Sequence, residues 1–292
     1  MKKKSKRDLL DKRRTIWERL FFGVLFSILL IWALIVVYML FWAFMCSLKS
    51  NLEYVNEPLT IPLQLHFENF QIAMDKLVLN NIGFLGMLWH STWQSVGPAL
   101  IGTTMVMIVG YVFAQYNFPG KTFLFSVIVF TMLIPLYGSM AASYKLMFDL
   151  KLANSYLSLI TSVGGFGAGM LVPYGYFKAV PKEMREAVYV DGGSDDVAFW
   201  KIYFPLSRNI FIALALLSFI GGWNNFEGTM LYFDRMPNLA LGLYYFQQEI
   251  QYVVNNPAYF AGTLIVMLPV VLMFVFASDK IMGQLYSGGL KG

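Results

Sequence analysis

Six stretches of this chain run long without a charged side chain: 20–48, 77–120, 122–144, 152–177, 209–226 and 250–278. A helix needs about 20 apolar residues to cross the hydrocarbon of a bilayer, where each backbone polar group must be satisfied within the segment. The run from 77 opens on polar "LNN" and closes on "NFPGK", so it holds one span. The expected fold class is therefore an all-α polytopic membrane protein with six transmembrane helices. Composition agrees, since 58% of residues are hydrophobic and 13% charged, about half the charged share of a soluble domain. Alternating segments of about ten residues, which a membrane barrel requires, are absent. The first run is too long for a signal-peptide core and no small-residue cleavage site follows it, so it is expected to remain as a span.

Several chemistries are excluded early. Cys46 is the sole cysteine, so no internal disulfide can form. His66 and His90 lie far apart, which argues against a metal site or a histidine-based nucleophile. The net charge of +5 is gathered in the leading "MKKKSKRDLLDKRR", the look of a cytoplasmic flank against anionic lipid rather than a nucleic-acid surface. With that flank inside and six spans, both termini are cytoplasmic. Lys121, Lys178, Lys182, Arg185, Lys201, Arg208, Lys280 and Lys291 then fall inside, and Lys49, Lys76, Lys145, Lys151 and Arg235 outside. That excess is the one the positive-inside rule demands.

Three outer segments follow from this topology. Residues 49–83 are long and polar, 145–156 make a short connection, and about 228–257 form an aromatic-rich loop too long for a turn. Loops of that length usually serve as lids or partner surfaces. Pro98, Pro135, Pro173 and Pro269 lie inside spans, where neighbouring helices can re-satisfy the lost backbone bonds; they signal kinks around a cavity or kinks that improve packing. "GGFGAG" at 164–169 sits in an apolar run with no preceding strand. Gly165 and Gly169 are read there as a helix–helix contact rather than a nucleotide loop.

The stretch "VPKEMREAVYVDGGSDDVAFWKIYFPL", 180–206, is charged and hinged by glycine. Pro181 suits a first helical position and Glu183 the first turn. Met184, Ala187, Val188 and Asp191 recur at helical spacing and make one mostly apolar face. Gly192 and Gly193 can end that helix, Ser194 can cap a second one bearing Asp195 and Asp196, and Pro205 marks a bend before the next span. The segment is a helix, a tight turn and a helix on the cytoplasmic side. Its polar face mixes Lys182, Glu183, Arg185 and Glu186, so a protein groove suits it better than a lipid surface.

Glu186-Ala187-Val188, then Gly192, Ile202 and Phe204-Pro205 keep the spacing of a known signature. It resembles the "EAA" motif of importer-type permeases of ATP-binding-cassette (ABC) transporters, E-A-A, three residues, G, nine, I, one, L-P. Val188 replaces an alanine and Phe204 a leucine. "NFPGK", "TMLIP", "VPKEM", "GGWNNF" and the terminal "GGLKG" are similar to the carbohydrate-uptake group, in particular the smaller permease of the maltose-transporter type. Asn225 stands where that group often has an acid, and His90 where an asparagine is common.

The resemblance implies a type I ABC importer permease fold. Residues 1–83 would hold the basic N-terminus, first span and first outer loop, and 84–281 the transmembrane core, with helices at about 84–115, 122–146, 157–180, 207–227 and 258–281. Within the core, 181–206 is the coupling loop and 228–257 an outer loop; 282–292 is a cytoplasmic tail that could also touch the ATPase. Glu186, Ala187, Val188, Asp191, Gly192, Ile202 and Pro205 would couple to a separate ATPase, and Tyr232, Phe233, Tyr244, Tyr245 and Phe246 would face an extracellular solute-binding protein. The implied partners are a second, homologous permease, an ABC ATPase dimer, that binding protein and a carbohydrate. The chain itself has no phosphate loop and needs no cofactor; ATP and Mg would sit in the ATPase. It would be a transport subunit, not an enzyme, in a bacterial or archaeal cytoplasmic membrane.

A sugar path needs amide, hydroxyl and aromatic side chains. Gln94, Thr103, Tyr137, Asn224 and Asn225 are candidates, each equally able to tie helices together. The alternatives are the same machine carrying a non-sugar polar solute, and an ion-driven secondary transporter. The latter would place ionisable residues near span centres, and none is found there. A membrane enzyme would need a constellation of carboxylates or histidines at one depth, which is also missing.

Overall fold

The computed structural model describes residues 16–133, 139–164, 167–250 and 255–288. Among these the regular elements are helical, apart from an isolated bridge between Leu79 and Ile82. α1 (Ile16–Ser47) is apolar on all sides, and residues 20–41 are exposed all round, which fits a helix solvated by lipid. Its far end is clamped. Lys49 is fully buried, and its Nζ donates to the Glu57 carbonyl at 2.5 Å and to Thr60 Oγ1 at 3.2 Å. Asn69 Nδ2 donates to the carbonyls of Ser47 and Lys49, both at 2.9 Å, satisfying groups that a helix end leaves orphaned. α2 (Asn51–Asn56), N-capped by Ser50, and α3 (Glu68–Lys76) complete this outer cover.

α4 (Phe84–Gln115) is the axis of the fold. At about 1.5 Å per residue it is about 48 Å long, enough to cross a bilayer. Other helices reach it where side chains are small: a Cβ on Gly110 would lie 2.9 Å from Pro173, and one on Gly222 would lie 3.1 Å from the Gln94 carbonyl. That carbonyl is the one Pro98 leaves without an amide donor, so the proline and the close approach share one level of the helix.

α5 (Lys121–Leu133) and α6 (Ser139–Asp149) occupy the stretch expected to hold a single span at 122–146, with 134–138 between them outside the described residues. Over 157–180 the structure departs from one continuous α-helix. It has 3₁₀ turns at Tyr156–Gly164 and Ala168–Met170, then α7 (Leu171–Ala179). Glycines at 164, 165, 167 and 169 explain this, since each costs about 1 kcal/mol in an α-helix relative to alanine. α8 (Glu183–Val190), α9 (Asp195–Ala198), a π turn at Phe199–Tyr203 and α10 (Phe204–Leu206) form the polar segment. α11 (Arg208–Trp223) leaves it at 77°, the bend expected near Pro205.

The outer loop expected over 228–257 is largely helical, with α12 (Phe226–Tyr232) and α13 (Leu239–Ile250). α14 (Asn256–Gly288) returns along α1 and α11. By length and apolarity α1, α4 and α14 can each cross a membrane, and the bent α9–α11 pair would make a fourth. Two apolar clusters lie along α4: Met87, Ala99, Phe219 and Trp223 toward its start, and Met107, Tyr111, Phe177 and Tyr203 toward its end.

Candidate functional site

The polar segment is seated on the last turn of α4. Gln115, nearly inaccessible, donates from Nε2 to the carbonyls of Phe177 at 2.6 Å and Val180 at 3.1 Å, closing the exit of α7. Its Oε1 accepts from the fully buried Tyr203 hydroxyl at 3.2 Å, which also lies 3.2 Å from the Pro181 carbonyl. Arg185 Nη1 donates to the Gln115 carbonyl at 2.8 Å, and its guanidinium stacks 4.3 Å from the Tyr116 ring centre. A cation on the last carbonyls of a helix also opposes its dipole favourably. The hydroxyls of Tyr116 and Tyr189 both donate to Asp195 Oδ1, joining α4, α8 and α9 through one carboxylate.

These bonds decide how α8 rolls. Arg185 and Val188, three residues apart, share the inward side; Val188 is buried and Arg185 half-buried. Met184, Glu186, Ala187, Val190 and Asp191 are exposed. The face predicted from Met184, Ala187, Val188 and Asp191 is thus divided, because the seating of Arg185 outranks apolar periodicity. The Glu186 carboxylate makes no hydrogen bond or ion pair with the described residues, and Val190 is 87% exposed. Ile202 is half-buried within the aromatic cluster and Pro205 is exposed.

The turn after α8 depends on both glycines for different reasons. Gly192 has φ +78° with open space around it, so it is needed for backbone conformation. At Gly193 a Cβ would stand 2.5 Å from Val188 Cγ1 and 3.0 Å from the Val188 carbonyl, so it is needed for close approach. The Gly193 amide donates to that carbonyl at 2.8 Å, a 6→1 closure of the helix end. Two details differ from expectation. Pro181 precedes the cap residue Lys182 rather than opening the helix, and Ser194 turns its hydroxyl to the Asp196 carboxylate instead of capping α9.

The electrostatics follow from the same contacts. The Tyr116 and Tyr189 hydroxyls hold Asp195 below the usual carboxylate range. Burial, then the bond to Asp195, pushes the Tyr116 phenol well up, while Tyr189 is raised chiefly by Asp195. The cluster therefore carries a carboxylate and neutral phenols at physiological pH.

In the first half of α4, Gln94 donates to the Met236 carbonyl and accepts from Thr229 Oγ1, both at 2.8 Å. It is a tie between α4 and the outer segment, with one donor and one acceptor of its amide engaged. Asn225 caps α12, accepting from the Gly228 amide at 2.9 Å, and Asn224 Nδ2 bonds back to Ile220 at 3.0 Å. Tyr137 lies outside the described residues. Gln94 and Asn225 nevertheless border a cavity of about 500 Å³. In the outer segment Tyr232 and Phe233 are half-buried on that cavity, Tyr244 stacks on Phe226 at 4.8 Å and Tyr245 is exposed. Phe246 turns inward and packs near Ala73, Ala258 and Ala261.

Residues 106–278, more than half of the chain, match the family described as binding-protein-dependent transport system inner membrane components. The chain belongs to that family. This permease is thus a membrane-spanning transport component and not an enzyme. It is 26% identical to the diacetylchitobiose uptake system permease protein NgcG of Streptomyces coelicolor, over 93% of this chain and 89% of that one. It is also 26% identical to the arabinooligosaccharides transport system permease protein AraQ of Halalkalibacterium halodurans, with 89% and 93% covered. The maltodextrin transport system permease protein MalD of Streptococcus pneumoniae is 26% identical, with 79% and 81% covered. A chain of the crystal structure of a bacterial ABC transporter that imports the acidic polysaccharide alginate shares the fold at a TM-score of 0.72, with 20% identity, 96% of this chain and 99% of that one covered.

The seat of the polar segment on this permease was missed from sequence. Gln115 and Tyr116 offered a signal, a buried amide and an interfacial tyrosine closing an apolar helix, but their partners lie some 70 residues away.

Proposed function

We propose that this permease is one of two homologous permease subunits of an ATP-driven importer, and that it translocates a sugar or oligosaccharide handed over by an extracellular solute-binding protein. The observation that carries this reading is the exposed face of α8, with Glu186 unspent, mounted rigidly on the end of α4. A helix so fixed transmits force to the bundle when a partner grips it. The family match supports a binding protein and an ABC ATPase as partners, and relatives named for diacetylchitobiose, arabinooligosaccharides and maltodextrin support a saccharide cargo.

In this reading ATP and Mg belong to the ATPase, and its closure pulls Glu186, Ala187, Val188, Asp191 and Gly192 together with Ile202 and Pro205. The bundle then rocks between inward-open and outward-open states. In this reading six spans put both termini and the segment 181–206 in the cytoplasm, with about 122–146 and 157–180 as the third and fourth crossings. Residues 84–281 form the transmembrane type-1 core, and Tyr232, Phe233, Tyr244 and Tyr245 approach the binding protein.

Purifying the tagged chain in detergent, identifying what accompanies it, and assaying ATPase activity with candidate sugars and the binding protein tests all of this. The expected result is co-purification of a second permease and an ATPase whose activity rises with the loaded binding protein. A homo-oligomer that takes up solute on an ion gradient overturns the reading.

A further inference from the structure

We propose that this chain carries its own saccharide-binding cavity, lined for an uncharged glycan, midway along α4; this rests on the sugar-importer reading above. The cavity of about 500 Å³ lies among α4, α6, the 3₁₀ turns, α11 and α12. That volume falls within the roughly 300–1,000 Å³ of small-molecule sites.

Its lining carries hydroxyls left unspent. Many helical hydroxyls of this chain bond back to a carbonyl one turn earlier, as Ser91, Ser95, Thr104 and Thr263 do, and on the lining itself Thr161 bonds back to Ser158. Ser143, Ser158, Ser162 and Ser218 border the cavity, and their hydroxyls make no hydrogen bond with the described residues. Ser158 is 5% exposed, so the little of it that stays accessible faces the cavity. Four unspent donor–acceptor groups around one space match the hydroxyls of a sugar.

Trp93 supplies the second requirement. Near-perpendicular contacts with Tyr156 at 4.9 Å and Phe233 at 6.0 Å hold its indole plane. Its N–H has no partner among the described residues, whereas Trp42 and Trp223 donate theirs to backbone carbonyls at 2.9 Å. A fixed aromatic face with a free donor at its edge suits the C–H face and adjacent hydroxyl of a pyranose or furanose.

The third observation concerns charge. No Asp, Glu, Lys, Arg or His lines the cavity among the described residues. A uronate carboxylate entering it loses its water and finds no counter-charge, while a neutral glycan loses only hydrogen bonds that the serines replace. The site discriminates by omission, and it does so on the helix whose other end seats the polar segment. From Pro98 to Gln115 is about 26 Å along that helix.

The test is uptake by cells expressing this chain with its partner subunits, using tritiated maltotriose, arabinotriose, diacetylchitobiose and trigalacturonate. At least one neutral probe is expected to enter, with trigalacturonate excluded. Trp93→Ala and the double variant Ser162→Val/Ser218→Val should raise the half-saturating concentration at least tenfold, and Trp93→Phe less, with the yield of ATPase-bound complex unchanged. Entry of a neutral probe with half-saturation unaltered in the valine and Trp93→Phe variants overturns the cavity assignment alone. A lower maximal rate at constant half-saturation in those variants does the same, since it marks a structural role. Equal entry of trigalacturonate overturns the charge selection. Failure of all the neutral probes while a non-sugar solute enters overturns this proposal together with the sugar reading.

Discussion

Single residues at the end of α8 have separable roles that substitution can resolve. Gly192→Ala places a Cβ in a left-handed conformation with free space around it, costing about 1–2 kcal/mol. Gly193→Ala adds a clash with the Val188 carbonyl that rotamer change cannot relieve, so it should depress ATPase co-purification more than Gly192→Ala does. Pull-down of the ATPase by the two variants, side by side, checks the order. Arg185→Lys keeps the charge but loses the planar stack on Tyr116, and should lower the melting temperature in detergent as much as Arg185→Ala does. Asp195 gives the pH dependence. Its carboxyl is depressed in the folded chain, so its contribution is full above the unfolded value of about 3.9 and is lost as pH falls through the lower folded value. Melting should be insensitive to this group from pH 5 to 8, and Asp195→Asn should flatten the decline seen below about pH 4.

At the scale of elements, α4 joins two functions, and variants at its two ends should fail differently. Glu186→Lys alters the exposed face of α8 without touching its seat, so uptake should fall at least tenfold while membrane insertion and melting stay as in the wild type. Gln94→Leu orphans the Met236 carbonyl, at about 1–3 kcal/mol, and leaves the Thr229 hydroxyl only its bond to the Asn225 carbonyl, so it should lower melting before it alters apparent sugar affinity. Paired melting and uptake curves distinguish the two. Helical character throughout was legible in the sequence, because charge-free runs leave the backbone no other partner in lipid. The bounds of α4 are also written there, in Gly83 before it and "YNFPG" after it. The break-up of 156–179 into 3₁₀ and α turns was not read, although its glycines were in view. Their use as a helix contact masked their cost to the helix. The spacing from Glu186 to Pro205 was plain, but the seat beneath it was not. Gln115, Arg185 and Asp195 meet only after the chain has travelled through α5, α6 and α7, and local periodicity carries no trace of such a meeting.

For the whole molecule, the apolar surface of α1 sets the terms. A helix with every described side chain exposed over residues 20–41 presents a broad apolar surface for lipid or another membrane subunit to cover. Co-expression with the second permease proposed above should therefore raise the recovered amount of this chain several-fold, read by immunoblot of detergent extracts, and expression alone should leave it prone to aggregation. The burial of Lys49 adds a mechanical consequence. With the ammonium held by Glu57 and Thr60 and the last carbonyls held by Asn69, α1 is a beam fixed at one support. Over about 48 Å, a tilt of about 10° at that support sweeps the opposite tip through about 8 Å. Small angular changes at the Lys49 fulcrum are thus geared up into large lateral travel at the other face of the membrane.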